Sequence, residues 1–124
     1  MSAKQIEAYK ATQQMAMSGR EIEAAALTRA ATLLSDCQQK WDAPDRDEAL
    51  EEALRINQTI WSLFQAELVK EDNPLPKELR QDILSLSVFI DQRIFDIMAY
   101  PTPEKLTAII NLNMNLAAGL RGEP

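Results

Sequence analysis

The chain is predicted to be all-α, a single compact bundle of about five helices packed mostly antiparallel. Three observations carry that reading. The composition is 46% hydrophobic and 26% charged with only three glycines, and Ala, Leu, Ile, Gln and Glu are plentiful, which favours helix over sheet. Apolar residues recur at steps of three and four along several stretches, the period of one helix face. Proline-bearing breaks at 42–44, 73–76 and 101–103 are a few residues long, and short connections make neighbouring helices antiparallel. At 124 residues the chain is one domain, 1–124, that buries roughly two thirds of its unfolded surface.

The first helix is expected over about 3–17. Ile6, Tyr9, Gln13 and Met17 share a face that is only partly apolar, so this helix packs on the bundle, swaps into a second copy, or comes away when a partner arrives. Ser18-Gly19-Arg20-Glu21 fits a capping box and suggests a second helix over 19–41, with Ile22, Ala26, Ala30, Leu33, Cys37 and Trp41 on one stripe. The alternative is one long helix bent near Gly19. Asp42-Ala43-Pro44 ends it, and Asp45-x-x-Glu48 caps a third helix over 45–70 in the same way. Asp45, Asp47, Glu48, Glu51 and Glu52 crowd its first turns, where negative charge is favourable. Leu50, Ala53, Leu54, Asn57, Ile60, Trp61, Phe64 and Leu68 face inward.

The fourth helix, 76–99, opens at the turn Asn73-Pro74-Leu75-Pro76, with Pro76 at the first helical position. Leu79, Ile83, Leu86, Ile90, Ile94 and Ile97 make its stripe. Leu84, Val88, Phe89, Phe95 and Met98 widen it so far that the helix reads as central, covered on several sides. Pro101-Thr102-Pro103 breaks the chain again, with Thr102 as cap. The last helix, 103–119, places Leu106, Ile109, Ile110, Asn113, Leu116 and Leu120 along one side, and it carries no charge between Leu106 and Leu120.

A formal net charge of −6 repels phosphate backbones and argues against direct nucleic-acid binding. One cysteine excludes an internal disulfide framework. No signal segment or membrane-length apolar run is present, so the expected location is cytoplasmic. The chain has no histidine, the commonest general base and metal ligand, and Cys37 lies on an apolar stripe as a small hydrophobe. No glycine-rich phosphate loop occurs, and no carboxylate pair is singled out. The expectation is no enzyme, no metal and no cofactor.

Two features stand out. Asn57 and Asn113 each lie on an apolar stripe, where an amide must be hydrogen-bonded or cost a few kcal/mol. Each either bonds a neighbouring helix and sets its register or waits for a partner. The last helix, with Asn111, Asn113 and Asn115 in an uncharged run, either lies inside the bundle or docks an amphipathic helix of another protein.

The blocks Leu50-x-x-Ala53-Leu54-x-x-Asn57-x-x-x-Trp61, Asn73-Pro74-Leu75-Pro76-x-x-Leu79-Arg80, Ser85-Leu86 with Phe89-Ile90-Asp91-x-Arg93, and Leu112-Asn113-x-Asn115-x-Ala117-x-Gly119-Leu120 resemble the FlaF family. Arg20-Glu21-Ile22-Glu23 and Leu27 fit as well. The likeness spans nearly the whole chain, and its ordered combination is specific although each block is weak. It departs at Met114, where relatives often carry a basic residue. The resemblance implies a non-enzymatic flagellar regulator of alphaproteobacteria that acts on flagellin synthesis and secretion alongside FlbT. Its partners are then flagellin and, as a second candidate, FlbT. The alternative is a translational regulator acting through FlbT without holding flagellin. The expected contacts are Asn113, Asn115, Leu116 and Leu120 of the last helix, with Arg80 and Asp91 of the fourth, the last two equally able to pair within the bundle. Monomer and homodimer both remain open.

Overall fold

The structure is a computed structural model that describes residues 2–122, the side chains of 7–19 excepted. It is all-α: α1 (Ala3–Gln39), α2 (Arg46–Leu68), α3 (Lys77–Ala99), a single 3₁₀ turn η1 (Pro103–Leu106) and α4 (Thr107–Leu120).

The break expected near Gly19 is not there, and α1 runs unbroken through it. One glycine costs about 1 kcal/mol inside a helix, and residues 3–39 contain no proline and are rich in alanine. The capping box forms instead at the true start, where Ser2 Oγ accepts from the Gln5 amide at 3.2 Å and Gln5 Oε1 accepts from the Ser2 amide at 2.9 Å. The expected packing or swapping of residues 3–17 falls largely on side chains outside the described residues. The buried stripe of α1 starts at Ala24 and continues through Leu27, Ala30, Ala31, Leu34 and Cys37. It is rotated from the expected one, since Ile22 is 68% exposed.

The Asp45 capping box also fails to form. Asp45 sits at φ −95°, ψ 12° and makes no side-chain cap bond, because the chain enters α2 through tight turns, Ala43 N–H to the Lys40 carbonyl and Arg46 N–H to the Ala43 carbonyl. Arg46 stacks 4.4 Å above the Trp41 ring there. Asp47 and Glu48 do lie in the first turn. Between α2 and α3, Asn73 does the turn chemistry. Its amide donates to the Glu67 carbonyl at 3.0 Å and its Oδ1 accepts from the Leu75 amide at 3.0 Å. Pro76 is the N-cap residue of α3, one position before the helix. Thr102 precedes η1 with Pro103 at its first position, as expected.

The centre of the bundle is α1, which packs on α4, α2 and η1. Its most extensive contact is with α4, and Ala24 of α1 shares the buried core cluster with Ile109 and Ala117 of α4; small side chains let two helices approach closely. The pair is antiparallel, since Gln38 donates to the Thr107 hydroxyl at 2.8 Å while Arg121 donates to Thr28 at the other end. The fourth expected helix, α3, is not central. It packs on α2 and η1 along one narrow seam, Ile83, Ser87, Ile90, Ile94 and Ile97. Of the apolar residues that widened its stripe, Val88, Phe89, Phe95 and Met98 are exposed, and Leu84 is half-buried against the core.

Candidate functional site

The two asparagines singled out in the sequence meet in the core. Asn113 of α4 donates its amide to Asn57 Oδ1 at 2.6 Å, and its own Oδ1 accepts from the Trp61 indole at 2.9 Å. The Asn57 amide donates to the carbonyls of Ala53 at 2.8 Å and Ala30 at 3.2 Å. All three side chains are fully buried. The knot joins α1, α2 and α4, and every bond in it is internal. Asn113 therefore fixes register and leaves the set of surface contacts, and the reading in which it waits for a partner is corrected by its burial.

The other expected residues do not form one site. Asn115 is exposed on α4 beside Asn111, Met114 and Gly119. Leu116 and Leu120 are half-buried and pack on the core, and Leu120 borders a shallow groove with Arg20, Glu21 and Arg121. Arg80 and Asp91 tie α3 to α2. Arg80 Nη1 donates to the Lys70 carbonyl at 3.2 Å, a cation on the carbonyls just past a helix end. Its Nε is buried without a partner among the described residues. Asp91 is exposed and accepts one bond, from the Gln65 amide at 3.2 Å.

What sequence periodicity missed is the outer side of α3. Phe95 is 77% exposed, Met98 66% and Val88 54%, an unusual concentration of exposed apolar side chains on one helix. Beside it, between α3 and the start of α2, lies an open groove of about 520 Å³. Leu50 and Leu54 of α2 with Ile94, Ile97 and Met98 of α3 line it, and Asp47, Glu51, Arg55 and Gln58 of α2 form the polar wall. The signal is an apolar stripe too wide for one interface, and periodicity alone does not distinguish such a stripe from burial on all sides. The Lys105 ammonium steadies this end of α3, bonding the Tyr100 carbonyl at 2.6 Å and Asp96 at 3.2 Å.

Titratable chemistry is sparse. Burial first, and then the carboxylates of Asp36 and Asp45, push the Cys37 thiol up from its ordinary value, which disfavours the nucleophilic thiolate. Among the described residues no group of three or more His, Cys, Asp or Glu is placed to hold a metal ion, and no helix is long and apolar enough to cross a membrane.

No curated protein and no solved structure matches the chain. The family model described as flagellar protein FlaF matches residues 5–120, a span that takes in the asparagine knot, the α2–α3 turn and the outer side of α3. The chain therefore belongs to the FlaF family of flagellar proteins.

Proposed function

We propose that this protein binds unassembled flagellin in the cytoplasm and promotes its synthesis and secretion, as an export chaperone does, without enzymatic chemistry or a cofactor. The observation that carries the reading is the outer side of α3, where Phe95, Met98 and Val88 stand in solvent beside the α2–α3 groove. Burying such side chains contributes roughly 1.5–3 kcal/mol each, and a groove with one apolar and one polar wall fits an amphipathic helix. Family membership supplies the flagellar context, and the implied link to flagellin supplies the partner.

The test is a calorimetric titration of the protein with flagellin monomer from the same organism, repeated with Phe95→Asp. That exposed position is chosen over Leu116 and Leu120, because aspartate at a half-buried core leucine would damage the fold itself. Saturable one-to-one binding that Phe95→Asp weakens, with helicity unchanged, supports the chaperone reading. No heat and no co-elution at tens of micromolar, about −6 kcal/mol or weaker, favours a translational regulator that acts through FlbT, and FlbT is then the protein to titrate.

A further inference from the structure

The buried seam of α3 is Ile83, Ser87, Ile90, Ile94 and Ile97. One residue on from each stands a second set, Leu84, Val88, Asp91, Phe95 and Met98. A one-residue step turns about 100° around a helix, so these five form a parallel strip beside the first, with the same steps of four and three. Leu84 is half-buried and the other four are exposed. One residue back from the buried seam stand Asp82, Leu86, Phe89, Arg93 and Asp96, which carry three charges. The apolar strip therefore exists on one flank only. That flank borders the groove, since Met98 lines it and Asp91 bonds Gln65 of α2.

Such spacing is what a packed helix pair uses, and the strip lacks its second helix. Its length, about 21 Å from Leu84 to Met98, matches four turns of a partner. Asp91 decides which partner. It sits at the midpoint, seven residues from either end. A second copy related by a two-fold axis, in full antiparallel overlap, sets Asp91 against its own counterpart. Parallel in-register pairing does the same, and like charges juxtaposed in a contact cost several kcal/mol. A shifted register escapes this only by leaving part of the strip uncovered. A carboxylate has about four acceptor positions, and Asp91 uses one of them, on Gln65. Its natural complement is a cation from a different chain, and the opposite wall, where Asp47 and Glu51 outnumber Arg55, favours the same sign.

We propose that the strip Leu84, Val88, Asp91, Phe95 and Met98 receives one amphipathic helix of flagellin, and that a lysine or arginine midway along that helix's apolar stripe pairs with Asp91. The choice of flagellin as the source rests on the function proposed above; the strip and its charge rule stand on the geometry. The experiment uses wild type, Asp91→Lys and Asp91→Leu, each checked for helicity, with flagellin titrated by calorimetry and self-association read by sedimentation equilibrium. Wild type is expected to be monomeric. Asp91→Lys is expected to bind flagellin at least about tenfold more weakly, and Asp91→Leu, whose strip is apolar throughout, to dimerise. Equal flagellin binding by wild type and Asp91→Lys overturns this dock while leaving the flagellin reading intact. A wild-type dimer that Phe95→Asp splits makes a second copy the occupant and overturns it too. Absence of flagellin binding by wild type overturns the function above and with it the source. Asp91→Leu remaining monomeric overturns the charge rule.

Discussion

Asn113 has three helices depending on one amide. Replacing it with alanine leaves the Trp61 indole N–H and Asn57 Oδ1 without partners in a closed core, at about 1–3 kcal/mol for each buried group. Asn113→Ala is therefore expected to lower the unfolding free energy by roughly 2–5 kcal/mol, measured as a shift of the denaturant midpoint. Asn57→Leu with Asn113→Leu should lose less than the sum of the single changes, because their mutual bond is then missed only once. That both asparagines point inward was legible from the stripes they lie on. That they hold each other was not, because periodicity says which way a side chain faces and not what stands across from it. Arg80 and Asp91 show the same limit: their place on α3 was readable, while Gln65 of α2 and the Lys70 carbonyl just past its end, which they meet, lie on another part of the chain.

Helices are where local signals compete with propagation. Ser18 to Glu21 has the letters of a start signal, yet a helix already running gains a hydrogen bond for each residue added and passes through. The motif that does cap α1, Ser2 with Gln5, works because Ser2 itself is extended, at φ −74° and ψ 160°, so its side chain can turn back onto the free amides of the first turn. The proline breaks at 74–76 and 101–103 were read correctly because a ring without an N–H leaves the backbone no choice. On α4, Asn111 and Asn115 are exposed and poor helix formers. Changing both to alanine is expected to stabilise the protein by roughly 0.5 kcal/mol per site, seen as a raised melting temperature. With flagellin seated on α3 its affinity should not change, and a loss of affinity would move the dock to α4.

Across the whole molecule the packing is uneven. The frame of α1, α2 and α4 shares the knot and a continuous buried core, whereas α3 is joined through one seam, the single Arg80 and Asp91 bonds, and the Lys105 bonds at its end. Stability within a fold follows local burial. Amide hydrogen exchange is therefore expected to be faster in α3 than in α2 or residues 24–37 of α1, and bound flagellin should slow it selectively in α3. Uniform protection across all four helices would contradict this division. The sequence allowed α3 to be taken for the centre because an apolar surplus looks the same whether it is covered by the chain's own helices or reserved for another's.

The placement of the two indoles also determines what light can report. Trp61 is sealed in the knot with its N–H held by an amide, and Trp41 lies under a guanidinium at the α1–α2 corner; neither is among the strip residues. Their emission therefore monitors the frame and is blind to the outer side of α3. A partner seated on the strip leaves that colour unchanged, and a shift in it on binding marks strain carried inward to the asparagines.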